Sequence, residues 1–247
     1  MSRQARKLST TGFYHVVFRG INRQHIFEDK SDFAYFLASV KNLKAAMLFE
    51  LHAYCLMSNH VHLLIKEAQV GDISLIMKRL LTKYAMYFNQ KYERSGALIA
   101  SRYKSVPVEI DEYFIPLIRY IHQNPVKAGI VDKPEEYRFS SYKDYLQGGS
   151  LTDTTMSLEL LGKEEWLKLH QVIADNHFDI SGKKRLSEEE ISRKIKLCMQ
   201  GREPYEIAGL PKVARNAAIR LLKERAGLSI RQIERATGIS RSVIAKS

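Results

Sequence analysis

A β-α-β-β-α-β succession of hydrophobic patterns up to Ile110, a helical remainder beyond a Gly/Ser/Thr-rich stretch, and short capped segments near Ser240 predict an α+β chain. The expected architecture is a ferredoxin-like antiparallel sheet with helices on one face, followed by a small all-α helix-turn-helix domain. The first strand is the β-branched and aromatic run Thr11–Gly20, closed by Gly20 and Asn22. Ser31 or Asp32 is placed to cap a helix whose apolar positions Phe33, Phe36, Leu37, Val40 and Leu43 recur at the helical period. A second strand over Leu48–Met57 meets a polar turn at Ser58-Asn59 and pairs as a hairpin with a third running to Lys66. Gly71-Asp72 opens a second helix with Ile73, Ile76, Met77, Leu80, Leu81, Tyr84 and Phe88 on its buried side, and a fourth strand fits Arg102–Ile110. With both helices on one face, the other face of the sheet is left open for function. Asp111 then caps a helix that ends near Asn124, because Pro125 disfavours helical geometry in the residue before it. Gln147-Gly148-Gly149-Ser150 and the Thr/Ser run after it read as a linker, giving a first domain over 1–147, a linker over 148–160 and a helical domain over 161–247.

Bulk properties narrow the partners. Lys and Arg number 39 against 27 Asp and Glu, a net charge of +12, which favours a polyanion because neutralised phosphates release their counterions. Cys55 and Cys198 stand in no ligand or disulfide pattern, so a reducing cytoplasm is expected. No apolar run approaches a membrane span and the basic Met1–Lys7 stretch is followed by no signal-like segment, so neither a membrane nor an export role is expected.

The chemistry concentrates in Ser58-Asn59-His60-Val61-His62-Leu63-Leu64-Ile65. Strand side chains alternate with period two, so His60 and His62 share a face. Two imidazoles there fit either part of a divalent-metal site that lacks its oxygen donor or a core strand with hydrogen-bonded histidines. Tyr120 and Asn124, four residues apart on one helix face, supply what the first alternative lacks: an amide oxygen as third ligand and a phenol beside the cation. Such a cation, Mg or Mn, would polarise a phosphodiester for attack by the tyrosine.

Four stretches, taken in order, resemble one family. Tyr14–Gly20, Asn59-His60-Val61-His62, Arg102-Tyr103-Lys104-Ser105 and Arg119–Ile130 are together similar to the single-tyrosine HUH transposases, most nearly their REP-associated tyrosine transposase branch, over Gly12–Leu146. The resemblance implies a nuclease domain that cuts single-stranded DNA at hairpin-flanked repeats, with Tyr120 as nucleophile keeping the 5′ phosphate, and His60, His62 and Asn124 on the metal. Arg19, Arg23, Arg102 and Lys104 are candidates for phosphate contacts and Tyr103 for stacking on a base. His122 falls on another face of its helix from Tyr120, and His15, His25 and His52 have no partner spacing.

Toward the C-terminus, Ser229 and Ser240 are placed to cap two short helices behind turns at Gly227 and Gly238. The segment resembles the duplex-binding domain of bacterial replication initiators, which would aim Ser240, Arg241 and Ser242 at the major groove. Duplex DNA is thus a second expected partner, for a monomer or homodimer. Two other functions fit the same pattern: a DNA-binding regulator without chemistry, and an RNA-binding or RNA-processing module on an open sheet.

Overall fold

The structure, a computed structural model, describes residues 7–100, 102–108, 110–172, 178, 188–199, 201–226, 228 and 230–246. Strands β1 (Phe13–Arg19), β2 (Glu50–Met57), β3 (His60–Lys66) and β4 (Lys104–Pro107) form one antiparallel sheet in the order β2-β3-β1-β4, as expected of the ferredoxin-like arrangement. Helices α1 (Lys30–Met47) and α2 (Asp72–Lys91) cover one face. Period-two alternation sends Tyr14, Val16, Phe18, Val61, Leu63 and Ile65 into that face, where they meet Phe36, Val40, Ile76, Leu80 and Tyr84. The cap of α1 lies earlier than Ser31 or Asp32. Asp29 accepts from the Ser31 and Asp32 N–H groups, while the Asp32 carboxylate at the third helical position reaches back to the Asp29 N–H.

The second face is not open. Helix α3 (Ile110–His122), the short α4 (Asn124–Lys127), α5 (Tyr142–Gln147), α6 (Thr155–Leu161) and α7 (Lys163–Gln171) follow β4. Phe114, Leu117, Ile118, Ile121, Tyr142, Tyr145 and Trp166 bury Phe13, Ala53, Cys55, Met57 and Leu64 from that side. The cause is in the strands themselves: β2 is apolar on both faces, and a face carrying Phe13 of β1, Met57 of β2 and Leu64 of β3 must find a cover. Asp111 falls inside α3, which starts at Ile110.

The outer edge of β2 is sealed by the chain that follows α4. Leu56 N–H donates to the Phe139 carbonyl, Tyr54 N–H to Ser141 Oγ, and Leu51 N–H to the Asp153 carboxylate. In return the Ser141 and Asp153 N–H groups donate to the Tyr54 and Leu51 carbonyls, and the Tyr137 and Tyr145 hydroxyls to the Leu56 and His52 carbonyls.

The expected linker is therefore structured. Asp153 also takes Lys44 Nζ at 2.6 Å, Lys44 Nζ reaches the Leu151 carbonyl, and Tyr145 stacks on Trp166 with centroids 4.6 Å apart. Gly148, with φ +77°, ends α5 and the chain returns to the sheet instead of leaving it. The chain divides later, into Met1–Gly182 and Lys183–Ser247. In the second unit α8 (Glu188–Cys198), α9 (Lys212–Glu224), α10 (Ile230–Thr237) and α11 (Arg241–Lys246) enclose a core of Ile191, Ile195, Ile219, Leu222, Ile233 and Ile244. Gly238, with φ +74°, makes the turn between α10 and α11. Gly227 and Ser229 lie outside the described residues.

Candidate catalytic face

On β3 the alternation puts His60, His62 and Leu64 on the face covered by α3. The His60 and His62 ring centroids are 5.2 Å apart. The Tyr120 ring lies 5.7 Å from that of His62 and 6.2 Å from that of His15, edge-on to both. His15, on β1, joins the same face: its Nε2 is 3.1 Å from His62 Nδ1. His60 Nδ1 is held at 2.7 Å by Asn59 Oδ1. Lys127 Nζ sits 4.7 Å from the centre of the Tyr120 ring. Four rings and an ammonium group thus converge between β3, β1 and the C-terminal end of α3.

Burial, and after it the neighbouring His15, His60 and Arg19, holds the His62 imidazole well below its ordinary pKa, so the ring is neutral and keeps a lone pair. Asn124 Nδ2 donates to the Tyr120 and Ile121 carbonyls, which leaves Oδ1 as its ligand-capable atom. Among the described residues no three His, Cys, Asp or Glu side chains are grouped to hold a metal. The donors present still fit a divalent cation of the kind that completes its coordination with amide, water or phosphate oxygens.

Residues 9–124 match the family model described as Transposase IS200 like. This stretch of the chain is similar to the IS200-like transposases. A Haemophilus influenzae protein assigned as a REP-associated tyrosine transposase is 30% identical over 105 residues, which are 38% of this chain and 59% of that protein. The solved structure of a REP-associated tyrosine transposase bound to a REP hairpin superposes with a TM-score of 0.51 at 20% identity, covering 63% of this chain and 96% of that one, so the two share a fold. A Deinococcus radiodurans protein assigned as a transposase gives a TM-score of 0.35 at 18% identity, covering 44% of this chain and 88% of that one.

Within the first unit the other site candidates scatter. Arg19 pairs in register with His60, and its Nε is buried with no hydrogen-bond partner. Lys104 pairs with Val17 and so shares the histidine face. Arg23 is exposed in the turn after β1, its carbonyl contacted by Asn59 Nδ2. Tyr103 is elsewhere: the residue before Lys104 must point to the opposite face, and it is buried with the α1–α2 core, its hydroxyl on the Ile73 carbonyl. Arg102 lines a groove along α2 with Lys78 and Asn89. Neither is on the histidine face. In the second unit Ser240, Arg241 and Ser242 are exposed at the start of α11, Ser240 Oγ lying 3.1 Å from Ser242 Oγ, and the Arg241 guanidinium pairs with Glu234 of α10. Sequence reasoning passed over His15 and Lys127. His15 is an even number of residues from Arg19 on one strand, and Lys127 is seven residues from Tyr120 across the break at Pro125; the first spacing was visible, the second only in three dimensions.

Proposed function

We propose that the protein is a metal-dependent endonuclease and transposase that cleaves and transfers single-stranded DNA at hairpin-flanked repeats through a covalent 5′-phosphotyrosine on Tyr120. The observation that carries this is the packing of the Tyr120 ring edge-on against the two imidazoles of His15 and His62. Tyr120 Oη attacks the phosphorus, the P–O3′ bond breaks, the phenolic proton is lost and O3′ takes one up, so the step is neutral in protons and conserves the phosphodiester bond energy in the protein-DNA link. Attack on that link by the 3′ hydroxyl of a second strand reverses the chemistry and joins it. His60, His62 and Asn124 Oδ1 would hold a divalent cation, Mg or Mn. When bound, it withdraws charge from the phosphoryl oxygens. The ammonium of Lys127, over the Tyr120 ring, supplies positive charge beside the place where the phosphate would sit. Arg19 and Lys104 meet backbone phosphates on the same face, and the second unit binds duplex DNA through α11. A hairpin-bearing single strand labelled at its 3′ end, incubated with the protein and Mn, tests the reading. The label should appear in a denaturant-resistant protein adduct while a 5′ label leaves as a shortened strand; a label that stays on free DNA in both cases overturns it.

A further inference from the structure

We propose that His15 is a positioning residue that fixes His62 as the Nδ1–H tautomer and so presents the His62 Nε2 lone pair to the divalent cation. The proposal rests on the reading above that His60 and His62 hold that cation. Only two neutral arrangements satisfy the 3.1 Å contact between His15 Nε2 and His62 Nδ1. In one, His62 donates from Nδ1 and keeps Nε2 open; in the other, His15 donates and the remaining proton of His62 must sit on Nε2, which blocks ligation. His60 decides between them by analogy within the same site. Its Nδ1 meets Asn59 Oδ1 at 2.7 Å, and the Asn59 amide is oriented by Nδ2 facing the Arg23 carbonyl. An amide oxygen only accepts, so His60 carries its proton on Nδ1 and offers Nε2. The same pattern at His62 gives two matched ligands, each with its inner nitrogen spent on the protein.

Geometry makes His15 suited to this task. It lies on β1 diagonal to His62 on β3, the cross-strand partners being His15 with Leu64 and Val17 with His62. The two rings are inclined by only 22°, and their 5.4 Å centroid separation is about the 3.1 Å nitrogen contact plus the two ring radii, so the contact runs close to both ring planes, where a lone pair must be to accept. Both rings are almost wholly buried, at 2% and 1% exposure, so no bulk water stands ready to replace His15.

The test uses the full-length chain with 15N-labelled histidine, His62 being assigned by its absence in His62→Gln. Long-range 15N–1H spectra of the cation-free wild type should show His62 protonated at Nδ1. A proton on Nε2 would overturn the proposal without any variant having to fold. His15→Phe keeps the shape without the acceptor, and His15→Gln restores an acceptor. Mn affinity, followed by the paramagnetic resonance of the free ion, should fall about 10- to 100-fold in His15→Phe, as for loss of an orienting partner, and recover largely in His15→Gln. Wild-type affinity in His15→Phe would overturn the role. Failure of the wild type to bind Mn at all would instead overturn the cation reading, and the tautomer spectrum would still decide what His15 does.

Discussion

Tyr120→Phe keeps the ring that packs edge-on against His15 and His62, so the hydroxyl can be removed with little loss of packing. The substitution is expected to abolish the protein-DNA adduct while changing hairpin affinity less than about tenfold, since the net worth of one hydroxyl's hydrogen bonding is about 0.5–1.5 kcal/mol. Mobility shift and denaturing gels on the same samples check both halves, and adduct formation by the variant would move the nucleophile to another tyrosine. A second residue-scale expectation concerns the buried pair behind α3. His170 Nδ1 donates to the Trp166 carbonyl, which leaves Nε2 to accept from His122 Nδ1, and His122 Nε2 accepts in turn from Ser141 Oγ. Burial pushes His170 down to about 4 and His122 well below its ordinary value. Above pH ~6.5 neither state of the protein binds these protons, so the pair costs nothing. As pH falls toward 4 the unfolded chain protonates and the folded one does not. Stability should then drop by about 1.4 kcal/mol per pH unit for each such histidine. Urea midpoints at pH 7.5 and 5.0 measure it, and His170→Gln should flatten the dependence; an unchanged midpoint in the wild type would contradict the buried neutral pair.

At the scale of elements, the α1–α2 layer is tied by one carboxylate. Asp32 is fully buried and accepts from Lys91 at 2.8 Å, Tyr92 at 2.7 Å, Tyr87 at 3.0 Å and the Glu28 N–H at 2.8 Å. Burial alone would raise its pKa, but the hydrogen bonds from Lys91, Tyr92 and the backbone outweigh it and the net shift is downward. Asp32→Asn should destabilise by about 2–3 kcal/mol, below the usual figure for a broken buried pair because Lys91 keeps partial access to water. Chemical denaturation reads it directly, and a loss below half of that would mean the layer is held by its apolar contacts alone. The two helices were legible in the sequence because each carries a clean 3.6-residue period, and the strands because short β-branched, aromatic and apolar runs are bounded by turn residues. The parts that were not legible fail for physical reasons. The apolar second face of β2 and β3 was visible, yet nothing local says that α3, α5 and α7 cover it. Gly148-Gly149 reads as flexible, but Asp153 and Trp166 anchor the chain just beyond. The Tyr103 assignment treated a basic-aromatic cluster as one surface, although neighbours on a strand face opposite ways. Alternation and helix spacing single out His60, His62 and Tyr120; the face of His15 could be read from its even spacing to Arg19, but its contact with His62 needed the strand pairing, which periodicity does not give.

For the whole molecule, the three apolar cores found among the described residues set where it can be cut. Two lie in the first unit and one in the second. A chain ending at Gly182 should therefore unfold cooperatively and keep strand cleavage, whereas one ending at Gly149 loses Trp166 and Asp153 and should lose at least the ~3–5 kcal/mol of a large aromatic removed from a core. Thermal unfolding and nicking of the two truncations distinguish them, and equal stability would mean that α7 adds nothing to the fold. Discrimination between target and scrambled hairpins should weaken without the second unit, because base-edge reading is assigned to α11. The sealing of β2 bears on synthesis as well as on stability. Until residues 137–153 leave the ribosome, the nascent chain presents an eight-residue apolar strand with an unpaired edge, the kind of surface that recruits a neighbour's strand. At translation speeds of about 5–20 residues per second the stretch from Met57 to Asp153 takes roughly 5 to 19 seconds, so yield of the intact protein should depend on holdase chaperones acting within this interval and on how densely ribosomes follow one another along the message.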